Sequence, residues 1–250
     1  MKYKRILLTG GSGNLGHAIS GSGFFKNILA PSRKELDITD FKQVDSYLQK
    51  NDVDAVIHCA ALARMRECEQ NPKNSIETNI IGTSNVVLAA IGKEIVAKKS
   101  IRFVHISTDG VYQGIRGNYS EDGPTIPYNK YGWSKLGAES IVNMLSNFCV
   151  IRTSFFDPEN IMFDGAAVDM YSSKMPIHEL ISAVNFMLES DFIGTINIGE
   201  NKKSDYERYK KCKSSIKPVK FADILKRAGV PLAKDASMSC RLWEKIKNAK

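Results

Sequence analysis

Tyr131 and Lys135 lie four residues apart in the stretch YNKYGWSKLGAE, from Tyr128 to Glu139. On a helix that spacing puts a phenol and an ammonium on one face. Reducing a ketone calls for such a pair, because a hydride goes to carbon and a proton must reach oxygen. A free tyrosine, with a pKa near ~10, is a poor proton donor at neutral pH, and a cation one helical turn away lowers that value. Spacing alone does not single the pair out. Tyr206/Lys210 and Tyr209/Lys213 repeat it in the basic run NKKSDYERYKKCKSS, where no apolar stripe accompanies them. Those two pairs read as a solvated charged segment. The case for Tyr131 and Lys135 rests on the elements that would position them.

The 250 residues suffice for one large domain or one and a half, and 43% hydrophobic with 25% charged residues is ordinary for a soluble globular chain. No apolar run approaches the ~20 residues of a membrane span. The opening MKYKRILLTGG runs from a short apolar core straight into glycines, which reads as a first strand rather than a signal peptide. The scattered cysteines Cys59, Cys68, Cys149, Cys212 and Cys240 contain no C-x-x-C; they read as reduced thiols in the cytoplasm. The four histidines form no cluster at ligand spacing, so no metal site is expected. The net charge of +8, much of it between Lys202 and Lys220, points to an anionic partner. No nucleic-acid-binding module accompanies it. A nucleotide-carrying small substrate or a solvated surface accounts for it equally well.

Short apolar runs alternate with helical patterns. Strands are expected at residues 4–9, NILAPS, DAVIHCAA, IRFVHIST and FCVIRTS, and helices at 14–20, 41–50, 74–97 and 131–145. This predicts an α/β fold, a Rossmann-type doubly wound parallel sheet with helices on both faces. Beyond Phe156 the pattern loosens into a helix from Pro176 (PIHELISAVNFML), a short strand GTINIG, and a helix in KFADILKRAG ended by Gly229. A first domain over 1–155 and a small C-terminal region over 156–250 follow, with the basic stretch 201–217 the most mobile part.

TGGSGNLG, Thr9 to Gly16, follows the first strand and opens the first helix. Gly10, Gly13 and Gly16 let the backbone turn sharply, let a pyrophosphate approach the amides of the turn, Asn14 and Leu15 among its residues, and let the helix pack close to the strand. In that context the motif predicts dinucleotide binding. At the end of the second strand, where NAD sites often place an acid for the ribose 2′-hydroxyl, APSRKELD offers Ser32 and Arg33. A guanidinium suits a 2′-phosphate, so NADP(H) is preferred and NAD(H) is allowed. Asp37 and Ile38 follow at a distance suited to flanking the adenine.

TGGSGNLG, ELDITD, VIHCAALARMRECEQNP, ETNIIGT, HISTDGVYQG and YNKYGWSKLGAE, in that order, resemble the extended short-chain dehydrogenase/reductases, most closely the dTDP-4-dehydrorhamnose reductase family. The resemblance is strong over residues 4 to about 155 and continues weakly through SSIKPVK and the final helix. It implies an enzyme that reduces the 4-keto group of a nucleotide-linked 4-keto-6-deoxy sugar with NADPH, for surface-polysaccharide synthesis. It divides the chain into an NAD(P)-binding domain and a shortened substrate-binding region. It makes Thr108 the hydroxyl on the substrate carbonyl, Tyr131 the acid, and Lys135 the grip on the nicotinamide ribose. Ala60, Ala61 and Leu62 become the loop along the cofactor, Asn79 its support, and Asp109 and Phe155 contacts to the sugar. It implies a nucleotide-diphosphate sugar as partner, no nucleic acid or membrane, and allows a homodimer through the helices near 74–97 and 131–145.

Dehydratases of this superfamily carry Thr-Asp-Glu after the catalytic strand, and Gly110 takes the place of that acid here. Epimerase-reductases that make GDP-fucose carry a cysteine where this chain has Thr108-Asp109. The family's usual tryptophan is Phe155, and residues 157–175 are fewer than in the family. Two other readings stay open. One is a dinucleotide-binding regulatory subunit like that of methionine adenosyltransferase; the other is a sugar-nucleotide epimerase.

Overall fold

The computed structural model describes residues 2–249. Six strands form one parallel sheet: β1 (Ile6–Thr9), β2 (Ile28–Leu29), β3 (Ala55–His58), β4 (Arg102–Thr108), β5 (Phe148–Thr153) and β6 (Gly194–Ile198). Their order is β6-β5-β4-β3-β1-β2, so the chain changes direction across the sheet between β1 and β3. In such sheets the crevice for ligands opens at the carboxyl ends of the strands beside that reversal. The predicted doubly wound fold is therefore present. The second strand is much shorter than NILAPS, because it is the edge strand and Pro31 has no amide to continue the ladder.

Helices cover both faces. On one lie α1 (Asn14–Gly21), α5 (Ile177–Glu189) and α8 (Arg241–Asn248), which bury Ile19, Leu180, Met187 and Trp243 against Leu8, Ile57 and Ile151. On the other lie α2 (Phe41–Lys50), α3 (Gly82–Ala97) and α4 (Lys130–Val142), with Leu48, Val86, Ala90 and Val142 against Leu7, Val56 and Phe103. Strand β6 and helices α5 and α8 thus return to the main sheet from beyond residue 155. The rest of that region holds short helices, among them α7 (Phe221–Ala228) ended by Gly229, and two-residue and three-residue ladders, Phe155–Phe156 with Met175–Pro176 and Gly165–Ala167 with Lys217–Val219 among them.

The helix expected over 74–97 arrives in pieces: a turn at Pro72–Ser75, a π-helical turn at Ile76–Ile81, then α3. A π turn inserts an extra residue and re-aims side chains; here it buries Asn79. Pro72–Ala97 is long and apolar enough, by length and composition, to cross a membrane, which no sequence run indicated. Its Val86, Val87, Ala89 and Ala90 pack into the core beneath the sheet, while Leu88, Ile95 and Val96 face outward.

The basic stretch 201–217 is only partly the solvated segment expected: Lys202, Lys210, Lys211 and Lys217 are exposed, but the stretch is built into the fold. Ser204 and Glu207 form a reciprocal cap on α6 (Asp205–Lys210), and Asp205, Arg208, Tyr209 and Ile216 are buried. One charge is consumed internally: Arg208 donates to the carbonyls of Ser172 and Lys174, each at 2.9 Å. Tyr209 packs edge-on against Phe156 and Phe163.

Helix α4 is fixed to the sheet by one buried ion pair. Glu139 accepts from Arg152 of β5 at 2.8–3.2 Å and from the hydroxyl of Ser107 of β4 at 2.5 Å. Arg152 also donates to the Tyr112 hydroxyl at 2.9 Å. Removing one partner strands the other charge in the core. Arg152→Met is expected to cost about 3–5 kcal/mol in urea unfolding, and the double change with Glu139→Leu distinctly less. Equal losses from the single and the double variant would contradict this role.

Candidate active site

The glycine turn forms as its sequence predicts. Gly10 has φ +74°, and a Cβ on Gly16 would stand 2.2 Å from the Gly10 carbonyl oxygen, so helix α1 meets β1 at a distance only glycine allows. Gly13 precedes α1, and Asn14 and Leu15 form its first turn, Asn14 exposed and Leu15 in the core. A cavity of about 220 Å³ lies over this turn. Gly10, Gly13, Arg33, Asp37, Ile38, Ala60 and Ala61 line it, together with Ser12, Leu36, Thr39 and Thr78, which sequence reasoning did not name. Those four lie inside the quoted motifs TGGSGNLG, ELDITD and ETNIIGT, and that membership was the available signal.

Arg33 stands at the cavity with its side chain 77% exposed, 3.3 Å from the Asp37 carboxylate. Ser32 is not brought there: its amide donates to the Glu35 carboxylate at 2.7 Å. The spacing Ser-Arg-Lys-Glu is that of a capping box, which identifies this local use. Leu62 and Asn79 are not part of the cavity lining. Asn79 accepts from the Leu62 amide at 2.6 Å and donates to the Leu62 carbonyl at 3.1 Å and to the Ser134 hydroxyl at 2.7 Å. One buried amide thus ties the loop after β3 to helix α4.

Thr108 ends β4, and Asp109 opens a short turn, Asp109–Val111. The Thr108 hydroxyl accepts from the Gly110 amide at 3.0 Å and donates to Asp109 at 3.3 Å. Tyr131, in the first turn of α4, lies beside the Thr108 side chain, which favours the ionised phenol. This meeting depends on Gly132, where a Cβ would stand 2.2 Å from the Gly110 carbonyl oxygen. Asn129 caps the helix by accepting from the Gly132 amide at 2.8 Å. Lys135, one turn on, is buried; it donates to the Ile106 carbonyl at 2.8 Å and approaches His105 Nε2 at 3.2 Å.

Burial brings the Lys135 ammonium down to about 8, against the nearby Glu139 and Cys59. Burial also pushes the Tyr131 phenol above its ordinary value, with the Thr108 side chain opposing. The expected lowering of Tyr131 by Lys135 is therefore not present in this geometry, where the ammonium is engaged by β4.

On the open side, Phe155 is half-buried and pairs with Met175. The Lys174 ammonium, which the sequence did not flag, bonds Tyr209 at 3.0 Å and Asp205 at 3.3 Å. Asp109 is pushed up to about 6, first by burial; Lys174 and hydrogen bonds from Thr108 and Ser154 oppose the rise, and Asp205 adds to it. A carboxyl with a raised pKa stabilises the fold below its unfolded value, near ~4, and loses that contribution as pH rises through about 6. Asp109→Asn is therefore expected to gain stability over the parent between pH ~4 and ~6, reaching on the order of 1–2 kcal/mol at neutral pH. Denaturant melts across that range check it, and a constant difference would contradict it.

Residues 4–166 match the family described as the RmlD substrate binding domain. The probable low-salt glycan biosynthesis reductase of Haloferax volcanii is 36% identical over 143 residues, 56% of this chain and 46% of that protein. Methionine adenosyltransferase 2 subunit beta of Rattus norvegicus is 23% identical over an alignment covering 97% of this chain and 82% of that protein. The crystal structure of dTDP-4-dehydrorhamnose reductase from Bacillus anthracis in complex with NADP superposes with a TM-score of 0.84 and 26% identity, over 95% of this chain and 90% of that one. The chain spans about half the length of the first curated relatives it matches, 46% to 52%. Because the match runs over well more than half of the chain and takes in both the glycine turn and the Tyr131 helix, the chain belongs to the RmlD substrate-binding-domain family, on the fold of the extended short-chain dehydrogenase/reductases.

Proposed function

We propose that this protein is an oxidoreductase that reduces the 4-keto group of a nucleotide-linked 4-keto-6-deoxy sugar with a nicotinamide dinucleotide. The observation that carries it is the set Thr108, Tyr131 and Lys135, with Thr108 at the end of β4, Tyr131 in the first turn of α4 where Gly132 abuts the Gly110 carbonyl, and Lys135 buried one turn along α4. The names of the Haloferax volcanii and Bacillus anthracis relatives support the same reading.

The residues fit a dinucleotide. At Gly10 and Gly16 the backbone leaves no room for a Cβ, and the cavity above them opens along Ala60 and Ala61. The amides at the start of α1 suit a pyrophosphate, and Asp37 and Ile38 suit the adenine end. When bound, the reduced dinucleotide supplies the hydride. Thr108 holds the carbonyl oxygen of the sugar, and Tyr131 delivers the proton to it. Lys135 holds the ribose, and Asn79 keeps the loop and helix in register. Asp109 and Phe155 bound the sugar. Gly110 leaves the position of a dehydratase's extra acid without a side chain, so reduction stops at the alcohol.

Arg33, an exposed guanidinium at the adenine end, supports NADPH over NADH. Residues 1–155 then carry the cofactor and 156–250 close the substrate side, in a cytoplasmic setting. The apolar Leu88, Ile95, Trp133 and Met144 exposed on and beside α3 and α4 support a homodimer through those helices. A second reading, a dinucleotide-binding regulatory subunit, draws on the length shared with methionine adenosyltransferase 2 subunit beta.

Tyr131→Phe is expected to slow NADPH oxidation with a 4-keto-6-deoxy sugar nucleotide by about 10²–10⁴-fold while NADPH fluorescence titration still shows binding. An unchanged rate would remove Tyr131 as the acid. Arg33→Ala is expected to lower the NADPH/NADH ratio of kcat/KM by about tenfold, the worth of one charge-assisted contact. An unchanged ratio would place cofactor selection elsewhere.

A further inference from the structure

Two buried histidines take no part in the chemistry above, yet they run from the glycine turn to the catalytic lysine. Thr9, His58 and His105 occupy one row of the sheet, paired in register across β1, β3 and β4. All three are buried, the two rings completely. The imidazoles stack at 5.3 Å with 24° between planes, and Lys135 Nζ stands 3.2 Å from His105 Nε2.

The hydrogen bonds fix where each ring carries its proton. Thr83 donates its hydroxyl proton to the Asn79 carbonyl at 2.7 Å, so it can only accept from His58 Nε2, 2.9 Å away. His58 Nδ1 then accepts from the Thr9 hydroxyl at 2.7 Å. At the other ring, an ammonium offers only donors, so His105 Nε2 must accept and Nδ1 must carry the hydrogen. Among the described residues, no hydrogen-bond partner faces His105 Nδ1. The two stacked rings therefore hold opposite tautomers. Burial and the Lys135 charge keep both rings neutral, the His58 ring titrating at about 3.

We propose that His105 is a positioning residue for Lys135: through Nε2, and together with the Ile106 carbonyl, it holds two of the three ammonium hydrogens and so fixes where the third is presented to the dinucleotide. His58, clamped at both ring nitrogens by Thr9 and Thr83, holds the plane of His105. The groups facing the lysine are then His105 from β4, Glu139 from its own helix, and His58 and Cys59 from β3 and the loop after it. This deepens the proposed reductase reading, because the lysine matters through the dinucleotide it grips. An imidazole that accepts without ever protonating is suited to the place: a charged ring there would expel the ammonium.

The test separates this proposal from the reductase reading. Long-range ¹⁵N–¹H spectra of the imidazoles in the full chain read tautomers without turnover, and with four histidines the assignments follow from single His→Gln variants. At neutral pH, His58 is expected as the Nε2–H form and His105 as the Nδ1–H form, with the His105 Nε2 resonance moving in Lys135→Met. An Nε2–H tautomer at His105, or a resonance indifferent to Lys135→Met, would overturn the proposal whether or not a keto sugar is reduced. In the second arm, His105→Gln retains an acceptor and is expected to bind NADPH within about threefold of the parent, whereas His105→Leu loses about 10–100-fold, the worth of a charged hydrogen bond. Equal affinity for the two variants, with both folded by circular dichroism, would overturn it as well.

Discussion

The buried pair Glu139–Arg152 is the interaction on which the arrangement depends. Tyr131, Lys135 and Glu139 follow at intervals of four along one helix, so a single anchor at the third sets the height and rotation of the first two. The anchor costs desolvation of two charges. It is offset only because Arg152 spends its donors on Glu139, Tyr112 and the Glu121 carbonyl, while Ser107 satisfies the carboxylate further. With the helix so held, Gly132 can press against the Gly110 carbonyl, and the tyrosine reaches Thr108. A side chain at 132 would lift the helix from the turn, and no adjustment at Tyr131 alone could restore the contact.

The same economy of position governs the dinucleotide side. Gly10 and Gly16 bring α1 against β1, and Asn79 fastens the loop after β3 to Ser134 of helix α4. The π-helical turn that delivers Asn79 is a local departure from regular geometry whose product is that contact. Cofactor floor, loop and helix are in this way parts of one rigid frame. The short ladders beyond residue 155 and the Lys174–Asp205–Tyr209 group rest on that frame.

What the sequence revealed is what it encodes locally. Buried parallel strands read as apolar runs, the glycine turn keeps all its residues within one stretch, and Tyr131 and Lys135 share a helix face. Contacts between distant residues were not legible: Glu139 with Arg152, Asn79 with Ser134, and Lys174 with Tyr209 become partners only after the chain has folded. The basic stretch 201–217 shows the cost of reading charge without its partners. Arg208 and Lys213 looked solvated because the carbonyls of Ser172, Lys174, Ile161 and Phe163 that accept from them lie 34 to 52 residues away. Ser32 differs, since its partner Glu35 stands three residues on, in a pattern that names a local role.

The most direct test of the reductive reading follows the hydride itself. NADPH deuterated at the transferred position of the nicotinamide is supplied with a 4-keto-6-deoxy sugar nucleotide, and the sugar product is examined by mass spectrometry and NMR. The account predicts one deuterium on C4 of the product, in an amount equal to the cofactor oxidised. Tight binding of the labelled cofactor with no deuterium in any sugar would contradict it and leave a dinucleotide-binding subunit as the better description.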